Sequence, residues 1–312
     1  MKKVASTSAA LLAYFAIYIP WVNSEELPPP EPVAELEESQ QRHEVIDISE
    51  PEPDDYEIPN IYALLSAPKI DYRISEGTTT LIPANAAEFG RFSMESTQYL
   101  EAGENFGLSA GVGFHFLSGP TSTPIPSRVF DFKTALQSRK HVGPKFSYDV
   151  AASIGVFSDF EDSARDGVRF PSHAVGFFHP NPCLDIVFGV EYLHRDDIKV
   201  LPVVGLVLRE ANVRAELVFP RPRIDFALND DTSLFVKGEL GGGSWDIERP
   251  DETNDVFTYR DYRVSIGLQT LKSGKTSSIE FGYVFDRQLS FRSSLHEEEF
   301  DDTFMIQLLH QY

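Results

Sequence analysis

From Phe106 to Phe116 the chain alternates without a break. Phe106, Leu108, Ala110, Val112, Phe114 and Phe116 fall on one face, and Gly107, Ser109, Gly111, Gly113 and His115 on the other. A period of two is the signature of a β-strand. The run exceeds the roughly 5–6 residues of an ordinary globular strand and suits the roughly 9–11 that cross a bilayer at a tilt. The pattern recurs in Phe146/Tyr148/Val150/Ala152/Ile154/Val156, in Leu184/Ile186/Phe188/Val190/Tyr192 and in Ile279/Phe281/Tyr283/Phe285. It returns at the end of the chain, where Phe304, Ile306, Leu308, His310 and Tyr312 alternate with Met305, Gln307, Leu309 and Gln311.

Alternation alone fits two architectures. A soluble β-sandwich turns its apolar face into a packed core, whereas a membrane barrel turns it to lipid and lines its lumen with the polar face. The four internal runs carry no Lys or Arg on their apolar faces, and their aromatics gather towards the ends, as an interfacial girdle requires. The pattern predicts strands near 69–75, 91–100, 106–117, 128–138, 146–157, 168–178, 184–192, 201–209, 212–219, 223–228, 233–241, 257–270, 278–286 and 303–312. The connections between them alternate in character. One set is mainly short: Glu101–Asn105, Arg139–Lys145, His179–Cys183, Glu210–Ala211, Asn229–Thr232 and Leu271–Ser277. The other is mostly longer and more polar, including Gly77–Gly90, Ser118–Ser127, Ser158–Gly167, Gly242–Val256 and Arg287–Asp302. Short periplasmic turns and long outer loops are the habit of outer-membrane barrels. The brief Pro220–Pro222 connection and the modest Leu193–Val200 loop break the rule on the long side. The expected fold is therefore all-β, an antiparallel up-and-down transmembrane β-barrel of about 12–14 strands.

The N-terminal quarter has a different composition. Lys2 and Lys3 precede the apolar run Ala9–Val22, and small residues follow at Asn23-Ser24, so residues 1–24 read as a cleaved signal peptide. Residues 25–60 read as a disordered, Pro/Glu-rich periplasmic linker. Between Glu25 and Glu57 there are thirteen acidic residues against Arg42 alone, which is −12 of the chain's −21. The barrel then occupies 61–312. This balance excludes nucleic acid as a partner. The expected partners are outer-membrane lipid and the barrel-insertion machinery, which reads the terminal strand through Phe304, Ile306, Leu308, His310 and Tyr312. Deleting Tyr312 is expected to slow insertion in cells, measured by pulse-chase of the heat-modifiable form. Oligomeric state is not written in the pattern.

Several runs carry a family resemblance. They are Gly111-Val112-Gly113-Phe114-His115-Phe116-Leu117-Ser118-Gly119-Pro120, Gly155-Val156-Phe157-Ser158-Asp159-Phe160-Glu161, Phe219-Pro220-Arg221-Pro222-Arg223-Ile224, Gly238-Glu239-Leu240-Gly241-Gly242-Gly243-Ser244-Trp245 and Tyr259-Arg260-Asp261-Tyr262-Arg263. Together, across roughly residues 89–312, they resemble a domain-of-unknown-function family of bacterial envelope proteins, regarded as outer-membrane barrels and common in planctomycete-type bacteria. The resemblance implies fold and location, and no activity.

Charged residues on the lumen face are the candidate functional residues: Glu191, Arg214, Glu216, Lys237, Glu239, Asp261, Arg263 and Glu280. They fit a charged constriction that filters solutes, and equally a network of ion pairs that fills the lumen and fixes register. Gly241-Gly242-Gly243-Ser244-Trp245 is expected to be a strand-end bulge with Trp245 at the lipid–water interface; a segment folding back into the lumen is the alternative. The loop acids, Asp159 and Asp255 among them, are expected to be solvated, since no spacing matches a calcium loop. Cys183 stands alone, in a turn. No nucleophile elbow, zinc-type His spacing, P-loop or dinucleotide fingerprint occurs, and His115/Ser118 or His173/Ser172 are neighbours without a third member. The chain is accordingly not expected to be an enzyme, and no catalytic residue, metal or cofactor is assigned. Three functional readings follow: a passive, porin-like solute channel, a plugged structural or adhesion barrel, and a secreted soluble β-sandwich that binds a ligand.

Overall fold

The computed structural model describes residues 75–84, 88–101, 106–120, 123, 125–161, 166–294 and 297–311. The expected signal peptide, the linker and Tyr312 lie outside the described residues. Along the chain run β1 (Ser75–Ile82), β2 (Gly90–Glu101), β3 (Phe106–Ser118), β4 (Arg128–His141), β5 (Phe146–Ser158), β6 (Val168–Arg169), β7 (Ser172–Asn181) and β8 (Leu184–Tyr192). There follow β9 (Val200–Glu210), β10 (Val213–Phe219), β11 (Arg223–Asn229), β12 (Thr232–Glu248), β13 (Asn254–Lys272), β14 (Lys275–Phe291), β15 (Glu297–Phe300) and β16 (Thr303–Gln311).

These segments make one sheet that closes on itself. Each long strand pairs antiparallel with its neighbours, and β16 lies between β14 and β1, from Glu76↔Gln311 to Leu81↔Ile306 on the latter side. The short β6 and β15 extend the outer ends of β5 and β14, which leaves a barrel of 14 strands. Closure removes the free edges that a bilayer cannot tolerate.

The alternation resolves into two surfaces. On β3, Phe106, Leu108, Val112, Phe114 and Phe116 are exposed while Gly111, Gly113 and His115 are buried. The same outward belt continues through Phe188 and Val190, through Val264, Ile266 and Leu268, and through Phe281 and Tyr283. A sandwich would bury such a face. A closed barrel that presents it all round is built to meet lipid, and the soluble reading fails on this point.

Strand length is uneven. β12, β13 and β14 have 17, 19 and 17 residues, whereas β10 and β11 have 7 each. Two expected loops, Gly242–Val256 and Arg287–Asp302, are therefore largely ladder, since β12 and β13 stay paired out to Glu248↔Asn254. Of the strand expected over 69–75 only Ser75 lies within the described residues; β1, Ser75–Ile82, reaches into the expected Gly77–Gly90 loop. Its sequence, Ser-Glu-Gly-Thr-Thr-Thr-Leu-Ile, lacks an apolar alternation; its strand character lies in the β-branched run Thr78–Thr80.

Candidate functional site

The outer ends of β12, β13 and β14 do not stand upright. They lean across the mouth of the barrel until Asp246 on β12 pairs with Ser158 on β5, bypassing every strand from β7 to β11. Trp245, Ile247, Phe257, Tyr259, Leu289 and Phe291 on these strands pack against Phe89, Leu117 and Val129 of the opposite wall. Trp245 is 2% exposed, donates its indole N–H to Asp131 Oδ1 at 2.6 Å and lies against the His115 ring. Arg287, 1% exposed, binds Tyr259 Oη (3.2 Å), the Asp301 carbonyl (2.6 Å) and the Phe89 carbonyl. The mouth is stoppered by its own wall.

The three glycines make this turn possible. Gly242 has φ +93°, a region unfavourable to any residue with a Cβ. A Cβ at Gly241 would lie 1.9 Å from Asp261 Oδ1, and one at Gly243 would lie 2.5 Å from the Trp245 ring. The expectation of Trp245 at the lipid–water interface is thus corrected: the glycines aim the segment inward, and the indole finds its acceptor in the lumen. Asp159 and Asp255, expected to be solvated, are buried too. Asp159 accepts from the Glu248 amide at 2.9 Å, and Asp255 binds Arg249 and Ser293.

Beneath the stopper lies a polar chamber of about 640 Å³, with Arg91, Lys133, His173, Arg221 and Arg263 in its wall and Gly241–Trp245 as its roof. All eight sequence-derived candidates are buried or half-buried, and all are paired. Arg263 binds Asp261 (2.7 Å) and Glu239 (3.0 Å). Lys237 lies 3.3 Å from Glu239 and 3.0 Å from Glu280. Arg214 binds Glu216 on its own strand, and Glu191 accepts from Arg221 at 2.8 Å. Five of the eight (Lys237, Glu239, Asp261, Arg263 and Glu280) thus form one chain of contacts across β12, β13 and β14, while the rest belong to separate pairs. Arg221 was not among the candidates; its place in a short Pro-flanked turn gave no sign that it reaches the lumen. Arg91 was missed for a related reason, because the alternation of β2 is masked by polar residues on both faces.

Two Ser–His–Asp groupings join residues distant in sequence. Ser93 Oγ meets His115 Nδ1 at 2.8 Å, and His115 Nε2 meets Asp131 at 3.0 Å. Ser147 Oγ meets His179 Nε2 at 2.8 Å, and His179 Nδ1 meets Asp185 at 2.6 Å. The sequence neighbours Ser118 and Ser172 are in neither. Ser93 and Ser147 are 1% and 2% exposed, which leaves their hydroxyls no approach for an acyl group. Both groupings are chains of mutually bonded polar atoms, buried at Ser93, His115, Ser147 and Asp185 and half-buried at Asp131 and His179, the usual way to fix a polar interior.

The β8–β9 loop, residues 193–199, covers the other flank of the stopper. Arg195 donates to the Gly241 carbonyl at 3.1 Å and the Tyr259 carbonyl at 3.3 Å, and the Asp196 amide donates to Ser244 Oγ at 3.2 Å. Arg292 grips Asp196 through two 2.7 Å bonds, which hold its carboxyl below the usual carboxylate range. His194 accepts from the Phe170 amide at 2.9 Å, and desolvation together with the nearby Arg169 pushes its imidazole down.

No family model and no curated protein matches the chain, so the resemblance over residues 89–312 rests on its motifs alone. Among solved structures the chain is similar to the KdgM porin, at 10% identity over 77% of this chain and 98% of that one, with a TM-score of 0.40. It is similar to the NanC porin at 8% identity over 77% and 98%, with a TM-score of 0.39. It is also similar to an outer-membrane channel from Pseudomonas putida F1, at 9% identity over 77% and 97%, with a TM-score of 0.41. These are likenesses of fold.

Proposed function

We propose that this outer-membrane barrel is a binding chamber closed to free flow. The observation that carries the reading is the roof, in which six large side chains of β12–β14 are buried against the opposite wall. Exposing them would cost roughly 9–18 kcal/mol at about 1.5–3 kcal/mol each. Even the lower figure puts an open state near one molecule in a million, since about 1.4 kcal/mol is a factor of ten. A stopper held that firmly is no thermal gate. The complete pairing of Lys237, Glu239, Asp261, Arg263 and Glu280 supports the same reading, because paired charges present little field to a passing ion. Residence in the outer membrane, export by a cleaved leader and recognition of β16 by insertion machinery belong to this proposal, and membrane fractionation of the mature protein tests them.

The passive channel is the second reading, favoured by the size and polarity of the chamber below the roof. Planar-bilayer recording separates the two. The wild type is expected to give no steady current. A variant with residues 244–258 replaced by Asn-Gly joins the cross-strand partners Gly243 and Tyr259 by a tight turn and is expected to conduct. Steady wild-type conductance would sink the closed-chamber reading.

A further inference from the structure

The chamber has a second boundary, in the wall itself. β10 and β11 pair only from Val213↔Phe226 to Glu216↔Arg223, so β9 is the one strand that Leu217–Phe219 pair with, and the Val218 carbonyl accepts from the Arg221 amide within the turn. On the far side, β11 pairs with β12 only as far as Arg223↔Lys237, followed by the single bond from the Gly238 amide to the Pro222 carbonyl. Above this level β9 continues to Val200, bonded only to β8, and β12 leans away into the mouth. The space between β9 and β12 is therefore a window. Its floor is the Pro220-Arg221-Pro222 turn, and its lintel is the 193–199 loop tied to Gly241 and Ser244. Three strand spacings give it a width of about 14 Å. Proline suits such a floor because it brings no N–H in need of a ladder partner.

The window lies at the level of lipid. Val200 and Val204 on the β9 flank are 55% and 56% exposed, and Phe219 beside the floor is 48% exposed. On the β12 flank, Leu240 is level with the lipid-facing Tyr262 of β13. Leu201 on the β9 flank, Pro220 and Arg221 of the floor and Leu240 on the β12 flank also line the chamber, and the Arg221 guanidinium reaches from the floor to Glu191 at 2.8 Å. Inside, two cations lack an ion pair among the described residues. Arg91 is 6% exposed, faces the chamber, and its Nε has no hydrogen-bond partner. Lys133 lies over Gly111, where a Cβ would come within 2.7 Å of its Cε. A buried guanidinium nitrogen without an acceptor is costly, and a phosphate oxygen would supply one.

We infer that the chamber takes the phosphate-bearing head of a membrane lipid, which enters sideways through the β9–β12 window while its acyl chains stay in the bilayer. The inference rests on the closed-chamber reading and names its ligand class.

Photo-crosslinking in vesicles of equal parts phosphatidylglycerol and the neutral monogalactosyldiacylglycerol tests it. Benzoylphenylalanine replaces Ala135, which lines the chamber on β4, or Val264, which faces lipid on β13; heat-modifiable gel mobility selects folded protein. The expected result is phosphatidylglycerol enriched about tenfold over the glycolipid at position 135, the worth of one charge-assisted bond, and no enrichment at 264. Arg91→Gln and Lys133→Gln should each remove most of that preference. Absence of a lipid adduct at 135 while 264 labels would overturn the inference, and so would adducts in the bulk ratio that ignore both variants. Loss of the adduct in the presence of excess inorganic phosphate would assign the site to soluble anions and overturn it equally. Recording from the same wild-type sample keeps the two proposals apart: current refutes the closed chamber, whereas silence without an adduct refutes only the lipid.

Discussion

The β12–β14 wall and the β10–β11 hairpin are neighbours in one sheet, yet they solve opposite problems. Strands of 17 to 19 residues overshoot the bilayer and must bury what they carry beyond it, which they do by leaning over the lumen. Strands of 7 residues stop short and leave the wall low. The long strands have a buried partner for each face of their outer ends: the apolar face meets Phe89, Leu117 and Val129, and the polar face meets the 193–199 loop. The short strands end in a proline-flanked turn that, among the described residues, adds a single backbone bond to β12, from the Gly238 amide, and one ion pair, from Arg221 to Glu191. One sheet thus closes its axis and opens its side, and strand length, together with the glycines that let the long strands turn inward, makes the difference.

The comparison can be broken most severely at the roof. Trp245→Ala removes the largest ring of the stopper and leaves Asp131 without its indole donor, so a loss of about 3–5 kcal/mol is expected. It should appear as a lower denaturant midpoint and as cleavage by chymotrypsin after Phe257, which the intact roof keeps buried. Next in size is Gly242→Ala, which forces a Cβ into a φ of +93° and towards the Tyr259 carbonyl. It should cost about 1–3 kcal/mol and raise the same cleavage, with the belt unaffected. The hairpin is tested by lengthening it: two extra residues on each side of Pro220–Pro222 should close the window, abolish the lipid adduct at position 135 and change stability by less than either roof variant. Equal labelling in that variant would show that lipid does not need the window.

The smallest effect is expected at the lintel. Asp196 titrates below the usual carboxylate range because Arg292 holds it, so its contribution is full above the ordinary carboxylate pKa. It is lost as pH falls through the lowered value. Pepsin cleavage at Leu193, referred to a denatured control at each pH, should therefore rise below about pH 4, near the unperturbed aspartate pKa, and Asp196→Ala should remove that dependence. The pair is partly exposed, so about 0–1 kcal/mol is at stake. A pH response that survives Asp196→Ala would move the sensor elsewhere, with His194 the next group to examine. Its imidazole is depressed, so its neutral form supports the loop above the ordinary histidine pKa, and that support fades as pH falls through the lowered value.

The legibility of the sequence follows the same division. Where one face meets lipid and the other the lumen, as from Phe106 to Phe116 or from Ile279 to Phe285, alternation named the strands and the face of each residue. From Ser244 to Ile247 four consecutive residues are buried, so both faces are covered and the period of two vanishes, as it does in any doubly covered strand. The stopper therefore read as a polar, glycine-rich loop. The charged candidates are buried or half-buried, and their partners lie on strands whose register no local pattern reveals, as with Lys237 and Glu280. Pro220–Pro222 was visible as an exception to loop parity, and that exception is the floor of the window.

The bond from Trp245 to Asp131 joins residues 114 positions apart in the chain. Contacts of such separation form late, because the intervening chain must be ordered first. The seam reaches further still, with Thr80 Oγ1 bonded to Gln307 across 227 positions. By this measure the roof and the seam are both late contacts. A barrel that must close twice, around its wall and across its mouth, carries two slow steps instead of one.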